Sequence, residues 1–419
     1  MTEQYFQSPS TRPRIAVIGA GIIGTCIALE LQKRGMAVSL IDKDDPGKGC
    51  SYGNSGAISV SSIVPLATPG VMASLPKMLM DRESPLRLPM GYLPRAATWL
   101  ARFVLSASPE RVNQSVSSLA ALHNDAIAKH AALTREVGVP ELFMQAGHLH
   151  LYPDEQSAQG DAQAWQIRES HGFRFEVLDR HGITALEPRI GPRYQAGMYL
   201  PDHATIRNPA RYVSAIAQAF VRHGGQLLRD EVLALTQTES GWSVKGMNAL
   251  VTADHIVVAA GAWSRKLLDP LRVRLPLESQ RGYHVQFAGA ENLVSRTVVL
   301  ADRKVFVTPM EGGLRVGGTV EIAGLKRPPD MRRAAILERI ARETFTDLGT
   351  MPASTWMGHR PCMPDSVPVI GEAPGNSGLW LAVGHGHLGL TDSVNTASLI
   401  ADQLELRYPA NRASQSNAA

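Results

Sequence analysis

From Ile15 to Ile18 the chain is apolar without a break, and it then turns at Gly19-Ala-Gly-Ile-Ile-Gly24. A short unbroken apolar run closed by glycine reads as a strand buried on both faces. The pattern then shifts to helical spacing, with Ile27, Ala28, Leu29 and Leu31 preceding Gly35, and a second strand follows at Ala37–Asp42. Farther on, Asp230 to Leu235 and His255 to Ala260 predict two more strands. Leu379–Val383 predicts another, leading through Gly384-His-Gly-His-Leu-Gly389 into a helix over Leu390–Leu406. Between these pieces lies a helical segment, Pro69 to Val137. Strands are expected at His148–Tyr152, Gly197–Leu200, Val298–Leu300, Val305–Thr308 and Leu314–Gly317.

The first strand, turn and helix carry G-x-G-x-x-G in the context that gives the motif meaning. Gly19 makes the tight turn, Gly21 lets backbone approach a pyrophosphate, and Gly24 lets the helix pack on the strand. Asp42, ending the second strand, stands where a carboxylate can accept hydrogen bonds from an adenosine ribose. This predicts a dinucleotide cofactor. FAD and NAD share the fingerprint, and the next residues choose between them. Lys43 to Ser59 is rich in Gly, Ser and Asn, including Ser51, Asn54, Ser55 and Gly56. Such a segment suits an extended loop along a second half of the cofactor. The strand ends at Val232 and at Ala260, Gly261 and Trp263 are placed near the nucleotide. The helix after Gly389 would direct its positive end at a flavin, whose reduced ring carries negative charge.

Bulk properties narrow the classes. The chain has 419 residues, a net charge of +4 and 44% hydrophobic residues, which suits a globular protein with room for two domains. No basic block or aromatic–basic interleaving supports a nucleic-acid partner. Three cysteines without C-x-x-C spacing suggest neither a disulfide framework nor a zinc site, so no metal is expected. With neither a signal-like leader nor an eighteen-residue apolar run, a cytoplasmic location is expected.

Together, Gly19–Gly24, Asn54-Ser-Gly56, Ala259-Ala-Gly-Ala-Trp-Ser264, Arg281-Gly-Tyr-His284, Gly317-Gly-Thr-Val-Glu321, His359-Arg-Pro361 and Gly384–Thr391 resemble the FAD-dependent D-amino-acid oxidase superfamily. The branch is that of D-amino-acid dehydrogenase, glycine oxidase and sarcosine oxidase, and the resemblance runs from about Arg14 to Leu406. It implies an α/β fold: a Rossmann-like FAD-binding domain beside an α+β substrate domain with a mixed, mostly antiparallel sheet. The FAD domain is expected at 12–62, 208–266 and 355–408, the substrate domain at 63–207 and 267–354, and flexible termini at 1–11 and 409–419. The implied reaction is FAD-dependent oxidation of a D-amino acid, small or cyclic ones such as D-proline included, with electrons passing to a quinone or other respiratory acceptor. An oxygen-using amine oxidase and a flavin-binding subunit of a larger complex are the alternatives. Relatives often carry a tyrosine where this chain has Phe306. No residue matches those used for covalent flavin attachment, so FAD is expected to be non-covalent.

Such a reaction needs a carboxylate anchor, a neutral amine and a Cα–H held beside the flavin, and no nucleophile. Arg360 is the expected clamp, since a guanidinium grips a carboxylate through paired hydrogen bonds. His385 and His387 are each candidates for touching the isoalloxazine or the substrate amine. Tyr283 and His284 are candidates for the substrate wall. Gly384, Gly386, Leu388, Gly389 and Thr391 are assigned to the flavin. The stretch 69–105 mixes apolar and basic residues, which suits either helices over the pocket or peripheral contact with an anionic membrane, here the cytoplasmic face of the inner membrane.

Overall fold

The structure is a computed structural model that describes residues 4–5, 12–72 and 86–408. Six strands form one sheet in the order Gln226–Arg229, Ala37–Asp42, Arg14–Ile18, His255–Val258, Leu379–Val383, Val369–Glu372. The first five are parallel and the last is antiparallel. Their side chains alternate between two cores. Ile15, Val17, Val38, Leu40 and Val257 pack with helices Ile22–Lys33, Pro209–Arg222 and Gly389–Arg407. Ala16, Ile18, Ile41, Ile256 and Val258 pack on the other side with Leu235, Trp242 and Val251. Burial on both faces is why these strands read as unbroken apolar runs.

The second of those cores is closed by a four-stranded sheet, Gln4–Tyr5, Leu250–Ala253, Gly241–Gly246 and Val232–Thr238. Val232–Thr238 therefore lies in this covering sheet, not beside His255–Val258. Gln226–Arg229, not expected from the sequence, takes the edge of the parallel sheet. Apart from Gln4–Tyr5, the expected flexible termini at 1–11 and 409–419 lie outside the described residues.

The other half is built on a larger, mostly antiparallel sheet. Its order is Ala353–Cys362, Glu278–Ala288, Gly313–Ile322, Val305–Met310, Thr297–Leu300, His148–Tyr152, Ala196–Leu200, Glu176–Leu178, with Leu86–Arg87 added to Gly313–Ile322. Thr297–Leu300 runs parallel to His148–Tyr152, and Leu86–Arg87 parallel to its partner, which makes the sheet mixed. Ala353–Cys362, expected in the nucleotide domain from residue 355 onward, instead pairs along its whole length with Glu278–Ala288. Helix Arg332–Thr344 covers one face of this sheet, where Tyr283, Val285, Phe287 and Val316 are buried with Leu337 and Ala341.

Of the expected helical stretch 69–137, helices occupy Leu93–Leu105, Pro109–His123 and Ala126–Glu136. Residues 73–85 lie outside the described residues. No described helix is long and apolar enough to cross a membrane.

Candidate active site

A cavity of about 790 Å³ runs along the carboxyl ends of the parallel strands and continues toward the large sheet. This is where ligands bind in open α/β sheets, because loops diverge there and leave a crevice. Gly19 has a φ of +109°, and a Cβ on it would stand 2.4 Å from the Ala259 carbonyl oxygen. A Cβ on Gly24 would stand 1.8 Å from the Gly19 oxygen. Both glycines are thus required for the turn and for helix packing. Gly21 faces the cavity, and Ser51 Oγ accepts a hydrogen bond from Ile22 N at 3.0 Å beside it. Asp42 accepts from Ala20 N at 2.6 Å and from Asp44 N at 3.0 Å. Burial raises its carboxyl pKa above the usual value, against those two backbone bonds.

Of the expected cofactor residues, Gly19, Gly21, Asp42, Lys43, Ser51, Asn54, Val232, Ala260, Gly261, Trp263, Gly384, Gly386 and Gly389 line this cavity, as does His385. Lys43 Nζ lies 5.6 Å from the Trp263 ring centroid. Gly24, Ser55, Gly56, Leu388 and Thr391 do not line it. Thr391 is buried and accepts a hydrogen bond from Ser59 N at 3.1 Å, so it braces the loop instead. Leu388 joins an apolar cluster with Val112 and Val116.

The alternation of strand side chains decides which residues of the large sheet face the nucleotide half. His284 pairs with Trp356 on one neighbour and Gly317 on the other, and Gly317 pairs with Phe306. Residues opposite one another in an antiparallel ladder share a face. That face meets the Ser51–Gly56 loop: His284 Nδ1 donates to the Gly53 oxygen at 3.1 Å, and its ring stacks on Trp356 at 5.2 Å. Arg315, not among the residues expected from the sequence, donates to the carbonyls of Tyr52 at 3.0 Å and Asn54 at 2.6 Å. Its signal was a charged residue within the small and apolar run Gly313–Gly318. Tyr283 points the other way. It is buried, donates to Glu321 Oε2 at 2.6 Å and accepts from Asp330 N at 2.9 Å, which removes it from the expected substrate wall.

Arg360 lies half-buried across the strand Glu278–Ala288. A Cβ on Gly282 would come within 2.2 Å of its guanidinium carbon, so a side chain there would displace the end of Arg360 from this position. Arg360 Nη1 donates to the Thr319 oxygen at 2.8 Å, and no carboxylate pairs with it among the described residues. The two histidines of the Gly384 loop diverge. His385 is buried, with Nε2 3.0 Å from Thr396 Oγ1. His387 is exposed to solvent and close enough to Arg360 to feel its charge. Loss of hydration in the cleft, then the Arg360 charge, pull its pKa down to about 4 against the Asp392 carboxylate. Its exposed surface tempers that shift, and the direction favours neutral imidazole.

Burial also holds His130, His148 and His385 down, each to about 4. The unfolded chain takes up protons near 6.5 that these folded rings refuse, so stability is complete above that pH and is lost as pH falls toward 4. The melting temperature is therefore expected to fall steadily across that window. A flat profile in circular-dichroism melts would contradict it.

The comparisons with known proteins agree with this geometry. A family model described as FAD dependent oxidoreductase matches residues 14–403. The chain belongs to the FAD-dependent oxidoreductase family. It is 37% identical over 403 residues to a D-amino-acid oxidase of Bradyrhizobium diazoefficiens, covering 94% of this chain and 96% of that one. It is 32% identical over 419 residues to D-amino acid dehydrogenase 2 of Ralstonia nicotianae, covering 95% and 97%. Glycine oxidase from Geobacillus kaustophilus superposes with a TM-score of 0.72 at 22% identity, covering 94% and 95%. L-proline dehydrogenase from P. horikoshii gives 0.73 at 18%, covering 94% of each chain. The cofactor is FAD, and the cavity fits it: a glycine turn for a diphosphate, a ribose carboxylate and a helix start at its far end.

Proposed function

We propose that the protein oxidises D-amino acids to imino acids and passes the electrons to a quinone or other respiratory acceptor, small or cyclic substrates such as D-proline being the preferred class. The observation that carries this reading is Arg360, a half-buried guanidinium with no carboxylate partner among the described residues, next to a neutral His387 and the Gly384–Gly389 loop. An unpaired cation in a cleft favours an anionic ligand, and a guanidinium fits a carboxylate in particular. Bound FAD supplies the acceptor for the hydrogen and electron pair leaving Cα. Arg360 holds the carboxylate, Trp356, His284 and Phe306 give the roof a surface of rings, and the neutral His387 accepts a hydrogen bond from the substrate amine. His385, committed to Thr396, shapes the loop.

FAD is held without a covalent bond in this reading. Burial raises the Cys50 thiol above its ordinary pKa, which disfavours the thiolate needed for attachment. Exposed apolar residues Met90, Leu93, Val104 and Leu105, with Arg95 and Arg102 on the same helical stretch, support peripheral contact with an anionic membrane. The relative named an oxidase favours oxygen as a second reading of the acceptor.

Anaerobic mixing with paired D- and L-amino acids tests the substrate. Bleaching of the flavin by D-enantiomers is expected, and faster bleaching by L-enantiomers would reject the reading. Turnover with a quinone or dye is expected to exceed turnover with oxygen, and stoichiometric hydrogen peroxide would favour the oxidase instead.

A further inference from the structure

The motif Arg281-Gly-Tyr-His284 gives its His284 to the roof, while its first and third residues do something else. Arg281 is fully buried. Its guanidinium donates to the carbonyls of Gly324 at 2.9 Å, Arg327 at 2.6 Å and Pro328 at 3.1 Å, and lies 3.6 Å from Glu321. Tyr283 closes the same loop by accepting from Asp330 N. Burying a guanidinium is costly unless its donors are satisfied, and here one loop, residues 323–330, satisfies most of them. The consequence is a fixed strap. Leu325 and Lys326 of that strap line the cofactor cavity, although they belong to the half that carries the substrate roof.

The cavity also contains three other lysines, and each has a partner within the protein. Lys266 pairs with Glu231 at 3.2 Å, Lys43 lies by Asp44 and the Trp263 ring, and Lys48 lies over Tyr52. Lys326 has neither an ion pair nor a ring contact among the described residues. On the side of the cavity formed by Gly19–Gly21, Gly19 N and Ala20 N are already donated to Ile41 and Asp42, which leaves Gly21 N for a diphosphate and no cationic side chain.

We propose that Lys326 binds the FAD diphosphate, and that Arg281 and Tyr283 are positioning residues that hold its strap in place. The ammonium supplies the charge that the glycine turn lacks, and the strap ties cofactor retention to the substrate half. This inference rests on the FAD cavity and is independent of which amine is oxidised.

The test is FAD titration of apoprotein, followed by flavin fluorescence at low and high salt. Lys326→Ala is expected to weaken FAD binding about three- to tenfold at low salt, as befits a charge-assisted contact open to water, and to flatten the salt dependence. Lys326→Arg should retain affinity, and Lys326→Glu should lose more than the alanine variant. Tyr283→Phe should weaken binding in the same direction, and add little in the Lys326→Ala background. Unchanged affinity and salt dependence in Lys326→Ala would overturn the proposal. So would equal losses in the arginine and alanine variants.

Discussion

Arg360→Ala is expected to raise the Michaelis constant for amino acids by about ten- to a hundredfold while leaving the flavin bound. The change removes a charge-assisted contact worth on the order of 1.5–3 kcal/mol, and each 1.4 kcal/mol is roughly a factor of ten. The nucleotide cavity is spared, because Arg360 does not line it. Arg360→Lys should recover only part of the loss, since an ammonium cannot form two parallel bonds to a carboxylate. Steady-state kinetics with the flavin-to-protein absorbance ratio as control would decide it, and an unchanged Michaelis constant would reject the clamp.

Gly24→Ala is expected to yield protein without flavin. The added methyl would need to occupy space 1.8 Å from the Gly19 oxygen. Helix Ile22–Lys33 must then move from the turn that follows Arg14–Ile18. That movement displaces Gly21 and the Ile22 N–H bonded to Ser51. Overpacking of this kind costs about 1–3 kcal/mol in stability, and the larger consequence is a distorted diphosphate site. Purified variant protein should be colourless and melt below the parent. Stoichiometric yellow flavin in the variant would show that the helix can shift without disturbing the site.

Local sequence carried the nucleotide half because its chemistry is local. Strand, glycine turn, helix and Asp42 are joined by about thirty residues, and each part constrains the next through backbone geometry. The Gly384 loop was legible for the same reason. Gln226–Arg229 was not, because its partially exposed edge position weakens the apolar signal. The short strands Ala57–Ile58, Ala204–Ile206 and Phe143–Met144 form a sheet of their own, and pieces so short carry too little pattern to be read.

What the sequence determined by itself was the FAD-type nucleotide fold and the set of polar residues available for a site. The tertiary structure decided their sides and partners. Tyr283 and His284 are adjacent in the chain, and the alternation of a strand sends one into a buried bond with Glu321 and the other to Gly53. His385 and His387 are two residues apart, and the turn buries one beside Thr396 and leaves the other near Arg360. The physical reason is shared in one respect: residue type fixes what a side chain can do, whereas the folded backbone, through strand pairing at Tyr283 and His284 and through the turn at His385 and His387, fixes what it meets.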